Sequence, residues 1–167
     1  TTAVDFTETD IHGNTYNLFS ILNAGQYVCM DFYATWCVPC QNTVPYFKQA
    51  YLNYGCNTAQ VVFMSVSEGQ PADNNAAVFA FDSTYLGGDP GYPSFSSVEG
   101  NGSQITVSYN IQGLPSYILI APNHTIVEQQ MFPIASAATF DTYFFPQGLT
   151  QMPCATGLNE VKSLTCI

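Results

Sequence analysis

The sequence predicts an α/β protein: a central mixed β-sheet flanked by helices, with an N-terminal β-hairpin extension and a cysteine-containing C-terminal tail. Two observations predict it. Apolar runs of strand length at residues 27–32 and 61–66 bracket a stretch of helical period at 37–54. Later, two further apolar runs, 116–121 and 125–131, meet across the turn Pro122-Asn123-His124. Strand–helix–strand alternation argues for parallel strands joined by a right-handed crossover, and the late hairpin adds antiparallel strands to the same sheet.

In chain order, residues 6–11 alternate roughly between apolar and polar, His12-Gly13-Asn14 is a turn signal, and 15–18 return as the second arm of a hairpin. A short helix or turn follows at 19–22, ended by Asn23-Ala24-Gly25. The run Tyr27-Val28-Cys29-Met30-Asp31-Phe32 is the pattern of a strand buried on both faces. From Cys37, Val44, Phe47, Tyr51 and Leu52 recur at helix spacing, and Gly55 suits the stop. After the strand at 61–66, residues 72–85 carry Val78, Phe79 and Phe81 as a second helix. Residues 87–102, rich in Gly, Pro and Ser, read as a long surface loop, and 135–145 as a closing helix. No repeat or linker divides the chain, so one domain is expected over 1–167: the hairpin extension 1–25, a core 26–145 and a tail 146–167.

Composition narrows the functions. With 47% hydrophobic residues the chain can build a sizeable core. Only Lys48 and Lys162 are basic, against twelve Asp and Glu, and a net charge of −10 is repelled by phosphate backbones and anionic lipid. Nucleic acid is therefore not an expected partner, and no apolar run approaches the roughly 20 residues that span a bilayer. The start, Thr1-Thr2-Ala3-Val4, has neither a basic n-region nor an h-region, which fits a cytosolic chain or the mature form of an exported one. Six cysteines, at 29, 37, 40, 56, 154 and 166, favour an oxidising, extracytoplasmic compartment.

Trp36-Cys37-Val38-Pro39-Cys40 carries the chemistry. Residues i and i+3 lie one turn apart on one helix face, near the roughly 5.5 Å Cα separation that a disulfide prefers. The first sulfur stands beside unpaired N–H groups and the positive end of the helix dipole, which favour its thiolate. Cys37 is thus the expected exposed nucleophile and Cys40 the shielded resolving thiol. Pro39 falls in the first turn, where a missing N–H costs nothing. A zinc site needs about four ligands, and one CxxC with two histidines in turns does not supply them. Copper would want a His or Met partner, and Met30 and Met64 read as core strand residues. No metal and no organic cofactor are expected.

The segment Asp31-Phe32-Tyr33-Ala34-Thr35-Trp36-Cys37-Val38-Pro39-Cys40 resembles the active site of thioredoxins and of their exported TlpA/ResA-type relatives, the thiol–disulfide oxidoreductases. The resemblance covers roughly residues 3–145, including the hairpin at 5–14, and implies a thioredoxin fold. Pro45, five residues after Cys40, matches the proline that kinks the family's active-site helix. Gly113-Leu114-Pro115-Ser116 matches the loop whose cis-proline faces the disulfide and holds a substrate chain as a short extra strand. The resemblance therefore implies a substrate surface of Trp36, Val38, Pro39, Leu114 and Pro115. Asp31 aligns as well: among apolar neighbours its pKa would rise, fitting it to take the proton of Cys40.

There are departures. Gln41-Asn42-Thr43 stands where many ResA-type proteins carry a Glu, and residues 32–36 do not supply the fixed pattern of Pro and Thr that precedes a peroxidatic cysteine. The implied function is disulfide exchange with exported protein substrates, as a monomeric reductant served by a redox partner protein. The alternatives are a non-catalytic binding module on the same scaffold and, more remotely, a thiol peroxidase. A structural disulfide is expected between Cys56 and Cys154, with Cys154–Cys166 as the other pairing. Residues 154–160 resemble the junction before C-terminal sorting domains in secreted proteins of Bacteroidetes.

Overall fold

The fold is described from a computed structural model, which defines residues 1–69 and 73–154. Strands β1 (Thr7–Thr9) and β2 (Thr15–Asn17) form the antiparallel hairpin, with Glu8 opposite Tyr16. Asp10 organises its turn: Oδ1 accepts the N–H groups of His12 (3.0 Å) and Asn14 (2.9 Å), and Gly13 takes the positive φ of 85° that a side chain would resist. Helix α1 (Leu18–Asn23) is capped by the Asn17 side chain, which accepts Ser20 N–H at 2.7 Å.

Strand β3 (Tyr27–Tyr33) leads to helix α2 (Val38–Asn53), strand β4 (Val61–Ser67) and helix α3 (Asn75–Leu86). Strand β5 (Ser94–Phe95), helix α4 (Gly102–Ser108), strands β6 (Ser116–Ile120) and β7 (Ile126–Glu128) and helix α5 (Ala138–Phe144) follow. A 3-10 turn, Phe145–Gln147, ends the regular structure. The main sheet runs β5-β4-β3-β6-β7; β3, β4 and β5 are parallel to one another, and β6 is antiparallel to both β3 and β7.

Alternation along β3 sorts the core into two layers. Val28, Met30 and Phe32 face α1 and α4, meeting Leu18, Leu22, Ile105 and Tyr109. Cys29 and Tyr33 face the other side, with Cys40, Val44 and Phe47 of α2, Phe81 of α3 and Phe140 and Phe144 of α5. Phe47 is the hub of that layer: its ring lies 5.2–6.0 Å from those of Phe63, Tyr92, Tyr117 and Phe140. These contacts hold α2, and hence its N-terminus, against the sheet.

The structure corrects the reading of residues 87–102. Only their ends are exposed as a surface loop would be: Tyr92, Phe95, Ser94, Ser96 and Ser97 in the middle are buried, Ser94–Phe95 adds an edge strand, and Phe6 and Tyr16 of the hairpin pack their rings on Phe95. The small residues serve close backbone packing here. A Cβ on Gly100 would come within 2.7 Å of Ser96 N, and the serine hydroxyls are bonded internally. Helix α4, rich in β-branched residues, is not anticipated by its sequence at all. Helices α3 and α5 and strand β7 are shorter than their periodicity suggested; Ala72, where α3 was expected to begin, lies outside the described residues.

The tail up to Cys154 docks on the C-terminal end of α2, through Met152 N–H to Asn53 O (2.9 Å) and Cys154 N–H to Leu52 O (3.1 Å). Cys56 and Cys154 are bonded, with Cα atoms 5.8 Å apart and a sequence separation of 98. A cross-link of such span restricts the unfolded chain by about 3–5 kcal/mol in the chain-entropy model. Lys162, Cys166 and the sorting-junction resemblance beyond Cys154 lie outside the described residues.

Because Phe47 anchors the active-site helix, Phe47→Ala should cost about 3–5 kcal/mol of stability, read as a lower urea midpoint at unchanged m-value. A loss under about 1 kcal/mol would contradict the hub role.

Candidate functional site

Strand β3 ends at Tyr33, and four residues carry the chain from the sheet to the start of α2. Cys37 occupies the N-cap: its backbone is extended (φ −81°, ψ 107°) and its Sγ accepts the Cys40 N–H at 3.3 Å. The cap oxygen of an ordinary helix is replaced by sulfur, so one of the unpaired N–H groups points straight at the reactive atom. Cys37 and Cys40 are disulfide-bonded, with Cα atoms 5.2 Å apart. Cys37 is 6% accessible and Cys40 1%, so the first sulfur is the more open of the two but far less exposed than its sequence position suggested. Trp36 and Val38, each 60% accessible, and the exposed Pro39 form an apolar rim around it.

Asp31 lies on the Cys29–Tyr33 face of β3, the face covered by α2 and Cys40, with Ser65 and Tyr117 as its neighbours across the sheet. It is buried, its Oδ1 has no hydrogen-bond partner among the described residues, and desolvation pushes its pKa well above the usual carboxylate range. Tyr117 donates to or accepts from Thr43 Oγ1 at 2.7 Å, tying β6 to the first turns of α2.

The Leu114–Pro115 peptide bond is cis. Both residues are half-buried, and Ser116 pairs with Phe32, so this loop stands at the end of the sheet from which the chain leaves β3 for Cys37. A second cis bond, Phe132–Pro133, was not anticipated.

Among the described residues the remaining thiol, Cys29, is buried and free. Among the described residues no cluster of three or more His, Cys, Asp or Glu could hold a metal. The histidines are used elsewhere: His12 pairs with Asp89 at 3.0 Å, and His124 bonds Asn23 at 2.8 Å. Among the described residues no helix is long and apolar enough to cross a membrane.

Residues 1–129 match the model of the AhpC/TSA family. The chain belongs to the AhpC/TSA family. Within AhpC/TSA sequences, a curated relative is the thiol-disulfide oxidoreductase ResA of Geobacillus kaustophilus, 28% identical over 123 residues. That match takes in 73% of this chain but only 63% of the relative's length. Two solved structures share the fold. One is a thiol:disulfide interchange protein of the thioredoxin family from Chlorobium tepidum, with TM-score 0.68, 19% identity, and coverage of 86% of this chain and 92% of that one. The other is a secreted disulfide oxidoreductase of Mycobacterium tuberculosis, with TM-score 0.63, 19% identity, and coverage of 86% and 96%. This AhpC/TSA member has the thioredoxin fold, extended by the hairpin and by the segment that carries Cys154.

Sequence reasoning missed the second buried acid of this layer. Asp82 of α3 is 4% accessible, and its Oδ2 has no partner among the described residues. Burial, reinforced by Asp89 and opposed by Lys48, pushes its pKa up to about 7. The helical pattern over 72–85 carried no sign that the carboxyl at residue 82 would be buried.

The folded state binds the Asp82 proton more tightly than the unfolded chain, so the stability this residue contributes is present below pH ~4 and is lost as pH rises to about 7. Asp82→Asn should therefore be neutral at pH 4 and stabilising at pH 7. The difference should grow by no more than about 1.4 kcal/mol per pH unit. Denaturant midpoints across that range test this; an effect independent of pH would contradict it.

Proposed function

We propose that this protein is a thiol–disulfide oxidoreductase that exchanges disulfides with protein substrates outside the cytoplasm. The observation that carries this reading is the Cys37 Sγ receiving the Cys40 N–H at the start of α2. A thiolate at that cap gains a hydrogen bond and the positive end of the helix dipole, which lowers its pKa relative to a thiol in the core.

In the forward direction the Cys37 thiolate attacks a substrate disulfide, forms a mixed disulfide and releases one substrate thiolate. Cys40 then attacks the Cys37 sulfur while Asp31 takes its proton, the Cys37–substrate S–S bond breaks, and the second substrate sulfur leaves as a thiolate that takes up a proton from solvent or from Asp31. Two electrons pass from the Cys37/Cys40 dithiol to the substrate disulfide, so a redox partner protein must reduce the pair again. The direction of net electron flow is towards substrate: Val38 and Pro39 place no base between the cysteines to deepen the thiolate's stabilisation, and the couple should be a reductant.

Substrate chains dock on the apolar rim of Trp36, Val38 and Pro39 and on the loop of Leu114 and Pro115, whose backbone can pair with an extended segment. The chemistry needs neither metal nor organic cofactor, and one chain contains every group it uses, so the protein acts as a monomer. Export is supported by the Cys56–Cys154 bridge, a bond that persists in oxidising compartments.

The single mutants should behave unequally. With insulin as a disulfide-containing substrate, Cys40→Ser should accumulate a mixed disulfide visible on non-reducing gels, and Cys37→Ser should form none. Asp31→Asn should leave the first attack intact and slow substrate release near neutral pH, on the order of 10²-fold. Absence of adduct with both cysteine mutants would favour a non-catalytic scaffold instead.

A further inference from the structure

Asp73 follows β4 on the approach to α3 and is completely buried. Its carboxylate receives three hydrogen bonds: from Thr35 N–H at 2.8 Å, from the Thr35 hydroxyl, and from the Ser67 hydroxyl at 2.6 Å. Its backbone is held as firmly. The Asp73 N–H donates to Gly69 O at 3.1 Å, and its carbonyl accepts from Ser97 N–H (2.9 Å) and Ser97 Oγ (2.8 Å). Thr35 is gripped from the other side by Gln41 of α2, whose Nε2 donates to Thr35 O at 2.9 Å. The next turn closes through Cys37 N–H to Ala34 O at 3.1 Å. The peptide unit two residues before Cys37 is thus clamped between α2 and a buried acid brought from 38 residues away.

We propose that Asp73 is a positioning residue for the Cys37/Cys40 couple, fixing the Thr35 turn and using its negative charge to hold Cys37 less acidic and the couple more reducing. The inference rests on the exchange function proposed above and supplies a cause for its direction. A carboxylate with three donors is satisfied without a cation, and among the described residues none pairs with it. Lys48 donates instead to Leu86 O at 3.0 Å. An uncompensated negative charge in a low-dielectric setting opposes a second one nearby, so the thiolate of Cys37 is disfavoured against both thiol and disulfide. The other ionisable groups facing this end of the sheet act in the same sense or are neutral: Asp31 and Tyr33 from β3, Glu68 after β4 (its N–H on Tyr33 O at 2.8 Å), Asp82 from α3 and Tyr117 from β6. Among the described residues facing this end of the sheet, it is the helix N-terminus that pulls the other way.

The test is the equilibrium of the pair with glutathione and the acidity of Cys37, read by the pH dependence of its alkylation, in the full chain. Asp73→Asn removes the charge but retains an acceptor for Thr35. It should make Cys37 more acidic and shift the equilibrium about tenfold towards the dithiol, a rise of about 30 mV for a two-electron couple. Thr35→Val removes one donor from the carboxylate and leaves its charge less compensated, so it should move both quantities the opposite way. A purely structural clamp would instead shift both variants in one direction, and that result, or changes within twofold for Asp73→Asn, would overturn the proposal. If Asp73→Asn does not fold, Thr35→Val decides alone: a less acidic Cys37 supports the assignment, and an unchanged or more acidic one refutes it. A wild-type pair that never equilibrates with glutathione would sink the exchange function itself.

Discussion

The hydrogen bond from Cys40 N–H to Cys37 Sγ is the contact on which the rest of the structure converges. Helix α2 would present open N–H groups at its start whatever residue stood there. Placing a sulfur at the cap turns an unavoidable feature of helices into a site that prefers a thiolate. That preference is useful only if the helix end cannot drift, and the aromatic layer around Phe47 prevents it from drifting. The clamp on Thr35 from one side and the Tyr117–Thr43 bond from another complete the fixation.

The same layer that immobilises α2 also raises the acids it encloses. Asp31 and Asp82 are buried under aromatic and aliphatic side chains with no ion pair among the described residues, and desolvation favours their protonated forms, opposed at Asp82 by Lys48. At Asp82 the cost is borne by folding as pH rises. At Asp31 the same penalty raises the carboxyl's pKa on the sheet face that α2 covers, which is what the proton-accepting role proposed for it requires. Asp73, in contrast, is surrounded by donors, and its carboxyl is tied to the Thr35 turn and to Ser67. Asp31, Asp73 and Asp82 thus differ according to what each is bonded to, and burial alone does not distinguish them.

Much of this was legible in the sequence because the central strands are buried on both faces. β3, β4 and β6 read as continuous apolar runs, and the period of α2 follows from Val44, Phe47 and Tyr51. The CxxC and the cis-proline loop were legible as motifs. Residues 87–108 were not, because Gly, Pro and Ser signal exposed loops and here they permit backbones to approach within a buried edge. Nor could the link between Asp73 and Thr35 be read: it joins a polar segment to a motif 38 residues earlier, and no local pattern encodes it. The cysteine count left two partners open for Cys154, and only the docking of the tail on α2 brings Cys56 to it.

The central claim, that the helix cap makes Cys37 the attacking sulfur, is tested most directly by alkylating the reduced protein with limiting iodoacetamide across pH and mapping the label by mass. The account predicts that Cys37 is modified first and that its rate rises at a lower pH than that of Cys40. Preferential labelling of Cys40, or equal rates at the two sulfurs, would contradict it.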